Sequence, residues 1–151
     1  MFTTVRYFIK TSLTFLFIGL LTGIYMSVSK YIFFTGVHPS LVSAHTHLIL
    51  VGSVMMMIMG VALWFFPKPD KEDKRYNPSL ILFTYWMITA ATASRFIFQI
   101  LHIIFYEDWL SYFITITSVL QVAAFGLFFY SMWGRIRSVG SHLREAKGER
   151  F

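Results

Sequence analysis

The sequence predicts an all-α integral membrane protein, a four-helix bundle with both termini in the cytoplasm. Of its residues, 56% are apolar and 13% are charged, whereas a typical soluble domain has about 25% charged residues. Four long apolar runs are separated by short polar segments, and nearly all Lys and Arg flank those runs on one side. The 151 residues are therefore expected to form one four-span membrane domain.

The first two runs have clear end signals. Residues 11–29 carry no charge, and their 19 residues approach the roughly 20 that a helix needs to cross the hydrocarbon core. No small-residue cleavage site follows them before Lys30, so an anchor is favoured over a secretory signal. Residues 39–66 form the second span, because Pro39 suits the first turn of a helix and Pro67 stops one.

The chain continues with a polar loop, two more apolar runs and a basic tail. Only Arg95 interrupts the third run, and the acidic pair Glu107 and Asp108 follows it. In order, these segments are the loop at residues 68–78, the third span at 79–106, the fourth span at 109–134 and the tail at 135–151.

The basic residues predict the orientation. Of the 13 Lys and Arg, Arg95 lies within a span and Lys30 lies on one side, which leaves 11 on the other side. The positive-inside rule then places both termini and the 68–78 loop in the cytoplasm, as in an integral protein of the plasma (inner) membrane. Orientation accounts for the net charge of +6, so lipid rather than nucleic acid is the expected surrounding.

Four ionisable residues lie inside the spans, where each costs roughly 2.5 to 3.5 kcal/mol at mid-membrane. Counting about 1.5 Å of rise per residue from the helix ends places the three histidines in one layer of the outer half of the bilayer. The first two histidines are two residues apart, so on a helix they point about 200° from each other and cannot bind one metal ion. The four residues are His45, His47, Arg95 and His102.

The absence of cysteine limits the covalent links and cofactors that the chain can have. It excludes disulfides, thiolate metal sites, iron–sulfur clusters and covalent attachment of c-type haem. Imidazole is a common axial ligand of b-type haem, so the intramembrane histidines favour haem b. Arg95 lies one heptad before His102 and shares its helix face, and its charge needs a haem propionate, Gln99, Gln121, a tyrosine hydroxyl or exposed carbonyls as a partner.

The second span also carries an extended motif over residues 44–67. It resembles the haem-ligating helix of the catalytic subunit of haem–copper oxidases and their nitric oxide reductase relatives. The resemblance implies that His45 binds a high-spin haem and His47 a low-spin haem. The segments that resemble the family are Ala44-His45-Thr46-His47-Leu48, Gly52-Ser53-Val54, Met59-Gly60 and Trp64-Phe65-Phe66-Pro67.

The chain departs from this family in two respects. It has far fewer spans, and it lacks the adjacent His-His pair and the Trp-His-Pro segment that hold the family's copper ion. We therefore expect no copper and no copper-dependent oxygen reductase. The family's other low-spin ligand comes from an early helix motif that is absent here, which leaves His102 as the intramembrane candidate to replace it.

The expected function is that of a membrane b-type cytochrome for electron transfer, with one or two haem b per chain and with redox partners that the sequence does not identify. His47 and His102 are the expected axial pair, and a homo-oligomer such as a dimer is expected to complete the haem pocket. Two alternatives stay open: haem-based sensing or reduction of NO, O2 or CO, in which case the protein would be an oxidoreductase, and a haem-free accessory subunit of a larger oxidase.

Overall fold

The computed structural model describes residues 2–66 and 77–136, and this part of the chain contains helices and no strand. Four helices are long and apolar enough to span a membrane: Thr3–Tyr31, Pro39–Phe65, Pro78–Phe105 and Trp109–Arg135. For this part of the chain, the prediction of an all-α fold with four helices long and apolar enough to cross a membrane is confirmed. Residues 67–76 of the predicted loop region and the tail from residue 137, including His142, lie outside the described residues.

The second span is one continuous helix with a change of hydrogen-bond pattern in its middle. It consists of two α-helical parts joined by a π-helix, in which each N–H bonds to the carbonyl five residues earlier. The elements in chain order are α1 (Phe2–Tyr31), α2 (Pro39–His47), the π-helix (Leu48–Met55), α3 (Met56–Phe65), α4 (Pro78–Phe105), α5 (Trp109–Met132) and a final 3-10 turn (Trp133–Arg135).

Helices α2 and α4 begin with the same arrangement, an N-cap side chain followed by a proline. The His38 ring accepts a hydrogen bond from the Ser40 N–H at 3.2 Å, and Pro39 occupies the first helical position of α2. At the start of α4, the Asn77 side chain accepts from the Ser79 N–H at 2.9 Å, ahead of Pro78. Proline fits there because its missing N–H has no partner in the first turn of a helix.

The helices pack in antiparallel pairs along the chain, with the second span between α1 and α4. Close approaches along α1 fix its register against the second span, two contacts fix the register of α4, and α5 packs against α4. The α1 contacts join Gly19 to Ile49, Gly23 to His45, Phe15 to Gly52 and Phe8 to Gly60, and the α4 contacts join Thr92 to Gly52 and Gln99 to Ser43.

Aromatic packing and a buried arginine stabilise the end of the bundle that contains the N-terminus. The Phe8 ring lies 5.2 Å from the Tyr85 ring and 6.4 Å from the Phe128 ring, measured between centroids. The Arg135 side chain, 1% exposed, donates from Nη2 to the Leu63 and Phe66 carbonyls at 3.1 and 2.9 Å. It thereby caps the last turn of the second span, whose final carbonyls have no partner within the helix.

The opposite end carries the connections at residues 32–38 and 106–108 and is called the short-loop end below. An open, mostly apolar groove of about 440 Å³ lies there at the surface formed by α1, α2 and α4. Its lining consists of Leu21, Thr22, Tyr25, Leu41, Ile100, Ile103 and Ile104. The predicted chemistry-bearing residues occupy the half of the bundle toward this end.

Candidate functional site

The His45 ring faces α1, where it lies against two glycines. Its Nδ1 lies 3.0 Å from the carbonyl oxygen of Gly19, and its ring lies so close to Gly23 that a Cβ there would be 3.1 Å from Cε1. The missing side chains of this small-xxx-small pair let the α1 backbone approach the ring. Because a carbonyl oxygen only accepts hydrogen bonds, Nδ1 must carry the proton, and Nε2 retains a free lone pair.

His47 is held in the same tautomer by its own helix. Its Nδ1 lies 2.9 Å from the carbonyl oxygen of Ser43, one turn earlier, and 3.5 Å from the Ser43 hydroxyl. The proton again belongs on Nδ1, and the unprotonated Nε2 is the nitrogen that can bind a metal. A carbonyl that accepts from the second ring nitrogen is the usual support of a metal-ligating histidine, because it fixes both tautomer and orientation.

The two histidines use different sides of the second span, as their spacing predicts. His45 points to α1, whereas His47 is tied to Ser43, whose hydroxyl accepts a hydrogen bond from Gln99 Nε2 of α4 at 2.9 Å. Both rings are half-buried. The two imidazole rings therefore lie on different faces of the second span.

A π-helix follows His47 directly. Residues Leu48–Met55 adopt this form, which is rare and recurs near functional sites in proteins. Gly52 and Ser53 of the resemblance motif lie within it and are buried. The unusual hydrogen-bond pattern thus coincides with the segment that carries the predicted function.

The structure places His102 at a different level from His47. The contact between Ser43 and Gln99 sets the register: His102 lies about 4.5 Å from it toward the short-loop end, and His47 about 6 Å in the other direction. The depths of the three histidines therefore span roughly 10 Å. Nδ1 of His102 is buried and has no hydrogen-bond partner.

The Ser43–Gln99 hydrogen bond also bears on the expected axial pair. It holds α2 against α4 at a level between His47 and His102. A haem held by both histidines on one iron would have to separate these two helices. The pairing of His47 with His102 within one chain stays a prediction that this packing does not favour.

Arg95 finds a partner on α5. Its Nη1 donates to Gln121 Oε1 at 3.1 Å, and Gln121 Nε2 donates in turn to Thr92 Oγ1 at 3.0 Å. The Nε atom of Arg95 is buried without a partner. Since the spans contain no Asp or Glu, the guanidinium charge has a polar partner there but no anion.

Some hydrogen-bond partners of the candidate site residues could be predicted from the sequence, and others could not. Ser43 lies four residues before His47, so the helical period alone places it beside that ring. The carbonyl of Gly19 belongs to another helix, and only the packing of α1 on the second span reveals it. The sequence offers Gln121 as one of several partners for Arg95, and the structure pairs the two.

Within residues 2–66 and 77–136, no three His, Cys, Asp or Glu side chains group so that they could hold a metal ion. Haem iron needs only one or two protein ligands, because the porphyrin supplies the others. Comparison with known protein families, curated proteins and solved structures gives no match. The resemblance of the second span to haem–copper oxidases therefore stays a prediction, and the function has to be inferred from the site.

Proposed function

We propose that the chain is a membrane b-type cytochrome in which His45 and His47 bind haem iron through Nε2. The observation that carries the proposal is the placement of the two rings, whose Nδ1 atoms lie 3.0 and 2.9 Å from backbone carbonyl oxygens, a geometry that puts the proton of each neutral ring on Nδ1 and leaves Nε2 unprotonated. Histidines that bind a metal are held in this manner, because the second hydrogen bond orients the ring and raises its basicity.

The energetics of the membrane also favour a ligand role. A polar side chain within a span is costly unless it is paired. A purely structural histidine would be expected to satisfy both ring nitrogens, yet no hydrogen bond to Nε2 of His45 or His47 occurs within the described residues. Coordination of iron would use the Nε2 lone pair of each of these two rings.

Bound haem supplies reversible one-electron cycling of iron. The chain's own residues hold and orient the ligands: the carbonyls of Gly19 and Ser43 fix the two rings, and Gly23 lets α1 lie against His45. Because both imidazoles are half-buried, part of each haem would extend beyond the bundle. A second copy of the chain would complete the pocket in a homodimer and supply a second axial ligand where one is needed.

The charge distribution supports a proposed orientation with both termini in the cytoplasm and the short-loop end outside the plasma membrane. Eleven basic residues flank the spans on the opposite side, against Lys30 alone at the short-loop end. The positive-inside rule assigns the basic side to the cytoplasm. The haem would then lie in the outer half of the bilayer.

The test is a reduced-minus-oxidised absorption spectrum and a pyridine haemochrome of detergent-purified protein made with adequate haem supply. We expect b-type haem in the natural sequence and loss of haem in the His45→Ala and His47→Ala variants. The matched control is His38→Asn. His38 Nδ1 accepts a hydrogen bond from Ser40, so this histidine has the opposite tautomer, and asparagine keeps the helix cap.

The outcomes separate the alternatives. Low-spin bands that carbon monoxide does not change support electron transfer, whereas a shift with carbon monoxide moves the function toward gas sensing or reduction. A folded preparation without haem would overturn the proposal and favour an accessory subunit of a larger oxidase.

A further inference from the structure

Within the described residues, two residues other than glycine have a positive φ angle, and both are aromatic. Phe34 (φ 52°) follows α1, and Tyr106 (φ 54°) is the C-cap of α4. Glycine and asparagine usually occupy this left-handed position after a helix, because a bulky side chain is strained there. Both residues lie at the short-loop end, so the same strained conformation occurs twice at one end of the bundle.

Hydrogen bonds after α1 hold Phe34 in this conformation. The Thr35 N–H donates to the Ser29 carbonyl at 2.9 Å, and the Thr35 hydroxyl donates to the same oxygen at 3.0 Å. These bonds turn the chain back onto the last turn of α1, whose carbonyls have no partner within the helix. Glycine would pass through this turn without strain, yet the chain has Phe34 there and Gly36 two residues later.

The side chains at these two positions are covered by little of the protein. Phe34 is 86% exposed, and the apolar side chains of residues 31–33 are exposed as well. Tyr106 is 70% exposed, although its ring lies 6.2 Å from the His38 ring, measured between centroids. Packing within the described residues therefore does not offset the strain, and the compensating contact has to come from the surroundings.

The basic residues of α1 place this end of the bundle at a membrane boundary. Lys10 and Lys30 are 20 residues apart in the sequence, which corresponds to about 30 Å along a helix, the thickness of the hydrocarbon core. No charged residue lies between them. Phe34 follows Lys30 by four residues, so it lies at the level of the lipid headgroups rather than far out in water.

We propose that Phe34 and Tyr106, together with the exposed Trp109 at the start of α5, form an aromatic anchor that inserts into the interfacial layer of the membrane at the short-loop end. The partner is the lipid surface, where aromatic side chains bury their rings near the headgroups. Burial of the exposed apolar area in that layer offsets the strain of the two left-handed residues. The anchor does not depend on haem binding by His45 or His47.

Spin labels test this placement, and the absence of cysteine from the sequence makes single-cysteine variants unambiguous. A nitroxide is attached to Phe34→Cys, and in a second protein to Tyr106→Cys, each reconstituted into phosphatidylcholine vesicles. Power saturation in electron paramagnetic resonance compares collisions of the label with oxygen, which concentrates in lipid, and with a nickel chelate, which stays in water. Freeze–thawing brings the chelate to both faces of the membrane, and the ratio of the two collision rates gives the depth of the label.

Two control positions calibrate the depth. Asp108 is exposed at the same end and its side chain makes no helix-capping hydrogen bond, so Asp108→Cys leaves the helix cap unchanged. Ile97 is 53% exposed on the outside of the bundle and lies about 12 Å deeper along α4 than Phe105. We expect the labels at Phe34 and Tyr106 to lie about 5 to 10 Å below the phosphate level, as interfacial apolar side chains do. The Asp108 label should lie above that level, and the Ile97 label should be the deepest.

Two results would overturn the anchor. A Phe34 label as accessible to the nickel chelate as the Asp108 label would place the connection in water. A Phe34 label shielded from both reagents would show that protein, such as a second copy of the chain, covers this end instead of lipid. Each variant is first checked for monodisperse elution, and Tyr106→Cys decides between the same outcomes should Phe34→Cys fail that check.

Discussion

Replacing Gly52 by alanine is predicted to force two helices apart. A Cβ at this position would lie 2.9 Å from Phe15 Cδ2 on α1 and 2.9 Å from Thr92 Cγ2 on α4. Ordinary carbon contacts are about 3.5 to 4.0 Å, so the new methyl group overlaps neighbours on two sides. Movement of the second span away from one neighbour brings it closer to the other.

The cost follows from this geometry. Inserting a methyl group into a well-packed interior costs about 1 to 3 kcal/mol. With roughly 2 to 4 °C per kcal/mol for a chain of this size, the midpoint of thermal unfolding should fall by about 2 to 12 °C. The assay is thermal unfolding in a mild detergent, followed by far-ultraviolet circular dichroism and repeated at several heating rates.

Gly126→Ala is the matched control. No atom lies within 4 Å of a Cβ built at Gly126, and alanine is the better helix former. This variant should unfold at the temperature of the natural sequence or above it. If Gly52→Ala proved as stable as the natural sequence, or if Gly126→Ala lost as much stability, the register of α1 and α4 against the second span would be refuted.

Three further predictions test other contacts. Arg135→Gln should lower the free energy of unfolding by about 1.5 to 3 kcal/mol in a detergent–denaturant titration, since it removes charged donors from the Leu63 and Phe66 carbonyls; exposed Arg6→Gln is the control, and an equal effect there would contradict the cap. Tyr85→Phe and Thr11→Val should show a coupling of about 0.6 kcal/mol in a double-mutant cycle, because their hydroxyls lie 2.8 Å apart; zero coupling would disprove that hydrogen bond. Gly23→Ala places a methyl group 3.1 Å from His45 Cε1 and should shift this ring and the absorption bands of haem bound there, whereas an unaltered spectrum would contradict the contact between Gly23 and a haem-binding His45.

The sequence predicts the helices well because hydropathy and proline report them directly. The second span begins at Pro39 as predicted and ends at Phe65, just before Pro67, and α4 begins at Pro78, one residue before the predicted third span. Helix α1 begins at Phe2, nine residues before its apolar run, because Val5 and Phe8 of this first part pack into the hydrophobic core of the bundle. Hydropathy finds the part of a helix suited to lipid and not the helix as a whole.

Contacts between helices were less predictable. The depth of each histidine can be counted along its own helix, but the offset between helices depends on which side chains meet, here Ser43 and Gln99. The π-helix was not predicted either, since the pattern of apolar residues does not reveal which carbonyl each N–H selects. Arg135 reads as the start of a basic tail, and only packing shows it buried.

The most direct test of the central proposal asks which histidine nitrogen binds iron. Ferric protein is prepared with histidine labelled with ¹⁵N at Nε2 alone or at Nδ1 alone, and the hyperfine couplings of the iron electron spin are measured by pulsed electron paramagnetic resonance. Because Nδ1 of His45 and of His47 lies against a backbone carbonyl, the strong coupling of a coordinated nitrogen should come from the Nε2 label. Absence of a haem signal, or strong coupling from the Nδ1 label, would contradict the proposal.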